Sequence, residues 1–158
     1  VDKGIRECME HGVLAGYPLV GLHAILTDGS YHDVDSNELS FKMAARLAYK
    51  AGIPQANPCI LEPLGNMKVY VPDSCMGDVI GDLNKRRGRI LGMNPTESGE
   101  QEVVAEVPMA EVSSYAITLR SITQGRGWFT YKFERYEEAP PAVQQKVIEE
   151  SKFVDEEE

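Results

Sequence analysis

The chain of 158 residues is 42% hydrophobic and 26% charged, a composition typical of globular proteins, and its length allows one domain or two small ones. This excludes a disordered or collagen-like chain, and no apolar run approaches the roughly 18–20 residues that cross a bilayer. The formal net charge is -9, but two thirds of the excess lies in residues 137–158, so the total does not argue against a nucleic-acid partner for the rest.

The first third of the chain begins with a predicted helix and a predicted strand. Apolar residues at helical spacing predict a helix over residues 1–11, with Gly12 as the left-handed residue beyond its end. The apolar run Leu19–Thr27 predicts a strand, which the turn pair Asp28-Gly29 ends. Because the first residue is valine and the first helix has no N-cap, we expect the chain to be part of a longer protein.

A second helix is predicted over about residues 36–51, where Asp35 and Glu38 have the spacing of a capping box. Its apolar stripe consists of Leu39, Met43, Ala44, Leu47 and Ala48. Prolines on both sides indicate a short strand over residues 59–61, and a domain boundary is expected near residues 64–66.

The remainder follows the order β-α-β-β-α-β, which is the ferredoxin-like split βαβ arrangement of an α+β fold. Strands are predicted at Met67–Val71, Arg89–Met93, Glu102–Val107 and Trp128–Phe133. One predicted helix ends in Arg86 and Arg87 with Gly88 as its C′ residue, and the other ends at Gly125. Residues 139–158 form a tail with a short amphipathic helix and an acidic end.

The sequence contains none of the common catalytic or nucleotide-binding motifs. It has no phosphate-binding loop, no G-x-G-x-x-G, no G-x-S-x-G, no H-E-x-x-H and no C-x-x-C. Its three cysteines are odd in number and widely spaced, which fits neither a disulfide framework nor a zinc site and indicates a reducing compartment. We therefore expect no catalytic residue and no metal ligand in this chain.

The segment from Asp28 to Asp35 concentrates three carboxylates and the imidazole of His32. Such groups could bind a divalent cation, so a metal-dependent hydrolase built on Asp28, His32, Asp33 and Asp35 is the alternative from a different functional class. The favoured interpretation is a solvated loop, whose polar side chains suit hydrogen bonding to RNA.

Two groups of polar residues lie at the ends of the predicted helices of the second half. They are Lys85, Arg86 and Arg87 at the end of the first helix, and Arg120, Gln124 and Arg126 at the end of the second. Each group is either a solvated helix end or a phosphate-binding surface. Tyr131, Phe133 and Tyr136 are expected to divide between core and surface. A small-molecule or dimerisation module is a third interpretation, which fold analogy alone supports.

In order along the chain, several motifs resemble the C-terminal region of bacterial elongation factor G. They are Gly16-Tyr-Pro18, Asp28-Gly-Ser-Tyr-His-Asp-Val-Asp-Ser36, Leu61-Glu-Pro63, Gly77-Asp-Val-Ile-Gly-Asp-Leu83, Arg86-Arg-Gly88, Leu119-Arg-Ser121 and Thr123-Gln-Gly-Arg126. The resemblance covers about residues 1–138. It implies that residues 1–64 are the C-terminal part of domain IV, with a ribosomal protein S5 domain 2-like fold whose opening strands lie upstream. Residues 65–138 would be the ferredoxin-like domain V.

The resemblance also implies a function in translation. The tip loop of domain IV, here Ser30, Tyr31, His32 and Asp33, would enter the decoding centre of the small ribosomal subunit during translocation of tRNA and mRNA. Domain V would lie near the stalk base of the large subunit, with Lys85, Arg86, Arg87, Arg120, Gln124 and Arg126 facing ribosomal RNA or another domain. GTP and Mg would bind to N-terminal domains outside this chain. The expected protein is a cytoplasmic monomer, and a divergent ribosome-protection or recycling factor is the alternative within the family.

Overall fold

The structure is a computed structural model that describes residues 1–151 and contains two compact units. The first unit is Val1–Ile60 together with the segment that begins at Ala139, and the second is Leu61–Glu138. The boundary expected near residues 64–66 therefore lies inside a strand of the second unit. The acidic end, Asp155–Glu158, lies outside the described residues. Within residues 1–151, no helix is both long enough and apolar enough to span a membrane.

The elements in chain order are α1 (Asp2–Met9), α2 (Glu38–Gly52), β1 (Leu61–Pro72), α3 (Met76–Lys85), β2 (Arg89–Pro95), β3 (Glu100–Pro108), α4 (Tyr115–Thr123), β4 (Trp128–Glu138) and α5 (Pro141–Glu150). Short 3-10 turns follow α2 and precede α3 and α4. The predicted helices and the four predicted strands of the second half are confirmed, with each of those strands longer than predicted.

The end of α1 differs from the prediction, because Gly12 does not have a positive φ. The helix ends at Met9, and Gly16 (φ 77°) is the left-handed residue of the following turn. Gly12 is required for a different reason. Its amide donates to the Tyr17 carbonyl at 2.7 Å, and a Cβ at this position would lie 2.6 Å from that oxygen.

The strand predicted over residues 19–27 is wrong for the described structure, in which this segment has no ladder hydrogen bonds. Val20, Ile25 and Leu26 have exposed fractions of 64, 71 and 70%. A strand is stabilised by pairing with a neighbour, and no segment among residues 1–151 pairs with this one. The short strand predicted at residues 59–61 is also absent, because β1 begins only at Leu61.

Helix α2 confirms the second predicted helix but not its predicted cap. Asn37, rather than Asp35, is the N-cap, and its Oδ1 accepts the Ser40 amide at 2.9 Å. The residues that α2 buries are Ala45 and Tyr49, and α1 packs against α2 at Gly4, where a Cβ would lie 3.0 Å from Ala45 Cβ. The predicted apolar stripe lies on a different face and is exposed at Leu39, Met43 and Leu47.

The two chain segments that leave the first unit are joined by hydrogen bonds around Gln144 of α5. The Ala139 amide donates to the Ile60 carbonyl at 2.9 Å, and the Ile60 amide donates to Gln144 Oε1 at 3.0 Å. Gln144 Nε2 in turn donates to the Ala139 carbonyl at 2.7 Å. Ala139 is 2% exposed, and Ile60 and Gln144 are half-buried.

The second unit is a four-stranded antiparallel sheet in the order β2-β3-β1-β4, with α3 and α4 packed on one face. This order and the βαββαβ succession confirm the ferredoxin-like prediction. Strand β1 shows why one face is buried. Met67, Val69 and Val71 are fully buried, whereas Lys68 and Tyr70 between them point to the opposite, open face.

The end of α3 is a Schellman motif in which the C′ residue is Arg87, not Gly88 as predicted. Arg87 has φ 59° and its amide donates to the Asn84 carbonyl at 3.2 Å. The Gly88 amide donates to the Leu83 carbonyl at 2.8 Å. Gly88 is needed because a Cβ there would lie 2.7 Å from that same oxygen.

This geometry predicts opposite effects for two glycine-to-alanine substitutions. Gly88→Ala should lower the free energy of unfolding of the second unit by about 1–3 kcal/mol, because its Cβ collides with backbone. Gly81→Ala, inside α3 with open space at its Cβ, should raise it by about 0.5–1 kcal/mol.

The measurement is urea unfolding followed by the fluorescence of Trp128, the only tryptophan of the chain, which lies in this unit. Equal effects of the two substitutions would contradict the assignment of the helix end.

Candidate functional site

The predicted tip loop is exposed, and its backbone is held by the following turn. The His32 amide donates to Ser36 Oγ at 2.8 Å, and the His32 carbonyl accepts the Ser36 amide at 2.9 Å and the Asp35 amide at 3.2 Å. This turn leads directly into the N-cap of α2. The side chains of Ser30, Tyr31, His32 and Asp33 are exposed, and within residues 1–151 none of them makes a hydrogen bond or ion pair.

The carboxylates near this loop do not form a metal centre in the part of the chain that the structure describes. No group of three His, Cys, Asp or Glu side chains among residues 1–151 converges on a point that could hold an ion. Asp28 Oδ1 instead accepts the Gly29 amide at 2.7 Å, although the structure has no turn at Asp28-Gly29, where the sequence predicted one. The loop therefore presents separate polar side chains rather than a ligand cage.

Arg86, which the sequence placed on an RNA-facing or interdomain surface, is largely buried inside the second unit. Its side chain is 13% exposed, and Nε donates to Asp82 Oδ2 at 2.8 Å. Its two terminal nitrogens donate to the Glu111 carbonyl at 2.7 Å, Ser114 Oγ at 3.1 Å and Thr118 Oγ1 at 2.8 Å. The guanidinium thus fastens the end of α3 to the start of α4.

Arg87 is also committed to contacts within the unit. It forms a two-pronged ion pair with Glu62 of β1, at 2.8 and 2.9 Å, and Nε lies 3.5 Å from Glu111 Oε1. The hydrogen bonds to Glu62 raise the pKa of Arg87 above its ordinary value. Sequence reasoning did not identify Glu62 as this partner, although the motif Leu61-Glu-Pro63 marked the position.

The remaining predicted residues of this surface are exposed: Lys85, Arg120, Gln124 and Arg126. Lys85 is the last residue of α3, and the other three lie at the end of α4. Gln124 (φ 54°) and Gly125 (φ 81°) are both left-handed, and the Gly125 amide donates to the Arg120 carbonyl at 3.0 Å. Among residues 1–151, neither Lys85 nor Arg120 forms an ion pair, so both cations are available to an external anion.

The aromatic residues of β4 divide between core and surface, as predicted. Tyr131 packs against the core and its hydroxyl donates to the Val107 carbonyl at 2.9 Å. Phe133 and Tyr136 are 46 and 61% exposed, with ring centroids 5.2 Å apart. Sequence reasoning missed a second aromatic pair, Tyr70 and Trp128, whose rings stack at 4.1 Å. The pairing of β1 with β4 that the ferredoxin-like order implies was the signal that could have found it.

Comparison with known families and structures matches nearly the whole chain. Residues 1–57 match the family model described as elongation factor G, domain IV, and residues 59–147 match the model described as elongation factor G C-terminus. An elongation factor G-like protein of Thermotoga maritima is 54% identical over 150 residues. A crystal structure of a protein from Thermus thermophilus superimposes with a TM-score of 0.82 at 46% identity.

These matches cover 95% of this chain in each case, but only 22% of the Thermotoga protein and 23% of the Thermus chain. The chain therefore spans less than a quarter of the length of the relatives that it matches.

The contacts of Arg86 predict a structural effect that its neighbour does not share. Arg86→Ala should lower the free energy of unfolding of the second unit by about 2–3 kcal/mol, because it leaves Asp82 and the Glu111 carbonyl without their charged donor. Lys85→Ala, at an exposed position, should change it by less than about 0.5 kcal/mol. Urea unfolding measures both, and an Arg86→Ala chain as stable as the parent would rule out the fastening role.

Proposed function

Since this chain belongs to the elongation factor G family, we propose that it is the ribosome-binding C-terminal part of a translation factor that assists the GTP-driven translocation of tRNA and mRNA. The observation that carries the proposal is the succession of the two family matches, domain IV and then the C-terminal domain, over nearly the full chain. The proposed role is mechanical, and no bond is made or broken by this chain.

The first unit would contribute the tip that enters the decoding centre. In support, Ser30–Asp33 offers four exposed polar side chains, and the hydrogen bonds of the His32 amide and carbonyl reduce the ordering needed at that residue on binding. Hydroxyl, imidazole and carboxylate groups can replace contacts to an RNA duplex by hydrogen bonding to its bases, sugars and phosphates. His32 lies next to the turn and would be the best positioned of the four.

The second unit would contact ribosomal RNA near the stalk base of the large subunit through the exposed residues at the ends of α3 and α4. Lys85 and Arg120 support this, because a cation without an internal partner can bind phosphate without first giving up an ion pair. Arg86 and Arg87 would act indirectly, by fixing the end of α3 that carries Lys85. Gln124 and Arg126 would add hydrogen bonds from the end of α4.

GTP and its Mg would bind to other domains of the complete protein, for which this sequence has no motif. The proposal also implies a cytoplasmic protein that acts as a monomer. A recycling or ribosome-protection factor would use the same two surfaces, and the experiment on the tip loop separates these roles.

In the complete protein, His32→Ala should slow translocation about tenfold, the effect of losing one hydrogen-bonding group worth about 1–1.5 kcal/mol at the step that uses it. GTP hydrolysis on the ribosome should change little. The matched control is His11→Ala, an exposed histidine outside the loop. Rapid-kinetic measurement of mRNA movement tests this. Unchanged translocation with slowed ribosome splitting would favour a recycling factor, and no effect on either would remove His32 from the mechanism.

Ribosome binding by the complete protein should weaken steeply with salt, because counterions are released from RNA when cations bind it. The double variant Lys85→Gln and Arg120→Gln should reduce the slope of log affinity against log salt concentration by about 1–2. Lys146→Gln, which removes an exposed cation of α5, serves as the control. An affinity that is constant between low and high salt would contradict RNA contact by this surface.

A further inference from the structure

The open face of the sheet in the second unit carries a stacked aromatic pair near one edge. Tyr70 of β1 and Trp128 of β4 are register partners, with ring centroids 4.1 Å apart and an interplanar angle of 15°. Strand β4 is an edge strand, and Trp128 remains 51% exposed. The indole therefore has Tyr70 on one side and surface open to solvent elsewhere.

The pair is held in place by its neighbours. The Tyr70 hydroxyl donates to Glu102 Oε2 at 2.7 Å, and Lys68 Nζ lies 3.6 Å from the same oxygen. These contacts, the Tyr70 hydrogen bond first, keep the pKa of Glu102 below its ordinary value, so the acceptor remains ionised at neutral pH. A stacked pair fixed in this way loses little conformational freedom when a third ring is added.

The charges of the open face leave one lysine of β4 without a carboxylate partner among residues 1–151. Two of the three carboxylates on β3 are compensated: Glu102 by Lys68, and Glu106 by both Arg89 and Arg135, whereas Glu100 forms no ion pair among residues 1–151. Lys132 lies on the same strand and face as Trp128, about 13 Å further along at the usual rise per residue, with Thr130 between them. Among residues 1–151, Lys132 is exposed and forms no ion pair or hydrogen bond.

We propose that the Tyr70–Trp128 pair is a stacking site for an unpaired base of RNA, with Lys132 contacting the phosphate backbone of the same strand. An exposed aromatic face binds bases with little regard to sequence, and aromatic side chains on four-stranded sheets recognise single-stranded RNA in this manner. The residues next to the pair on this face are Lys68, Thr130 and Glu102, with Lys132 further along β4, and this polar surround favours a nucleic acid over an apolar protein surface.

This inference rests on the proposed function, since ribosomal RNA would be the natural source of the base, but it concerns a different surface from the ends of α3 and α4. The stacking site and the RNA contact at the ends of α3 and α4 can therefore be disproved separately.

The chain offers a direct probe, because Trp128 is its only tryptophan. Titration with a short single-stranded oligoadenylate at low salt should quench Trp128 fluorescence in a saturable manner. Anisotropy of the labelled oligonucleotide should show about tenfold weaker binding for Trp128→Ala and a smaller loss for Lys132→Gln. Lys146→Gln, which removes an exposed cation outside both proposed RNA surfaces, should leave the quenching unchanged. Circular dichroism verifies that each variant is folded.

Three results would overturn the inference. They are an oligoadenylate that leaves Trp128 fluorescence unchanged, binding that is equally strong for Trp128→Ala, and, in the complete protein, a Trp128 emission that is blue-shifted and inaccessible to iodide. The last would mean that a protein surface covers the pair. If Trp128→Ala has no effect while Lys85→Gln and Arg120→Gln weaken ribosome binding, the stacking site fails and the proposed function stands.

Discussion

The second unit depends on strand β1, which pairs with β3 over Leu64–Pro72 and with β4 over Leu61–Tyr70. Its neighbours in the sheet are β3 and β4, and its alternation sends Met67, Val69 and Val71 into the core while Tyr70 faces outward. Glu62, near its beginning, holds Arg87 beyond the end of α3. One strand therefore fixes the core, the open face and, through Arg87, the helix end that carries the exposed Lys85.

The sequence was sufficient for the second unit because every element there finds its partner within the chain, so that local periodicity and tertiary pairing agree. It was insufficient for residues 19–27, where strand-forming side chains have no pairing neighbour in the described structure. The helix caps were missed at Asn37 and Arg87 for a local reason. Several adjacent residues can make the capping contact, and only the backbone geometry decides between them.

The sequence located some residues of the candidate site but not the burial or the pairing of others. The polar loop was located because its polar residues are contiguous, whereas its identification as the tip loop came from the family resemblance and stays a prediction. Arg86 and Lys85 are adjacent in sequence, yet one is bonded on every nitrogen of its guanidinium and the other is exposed. A run of basic residues carries no information about this difference. The Tyr70–Trp128 pair was not found because its members are distant in sequence and meet only through the register of two strands.

The hydrogen bonds around Gln144 affect how the sheet of the second unit resists a pulling force. Leu61 and Glu138 are the outer ends of β1 and β4 and are partners in an antiparallel ladder. A force that pulls these two residues apart therefore breaks the ladder hydrogen bonds one after another, starting at this end, and does not load all of them at once. The bonds among Ile60, Ala139 and Gln144 stand immediately before this point. A force that separates Ile60 from Ala139 therefore loads these hydrogen bonds before those of the ladder. The bonds thus delay the opening of the β1–β4 ladder.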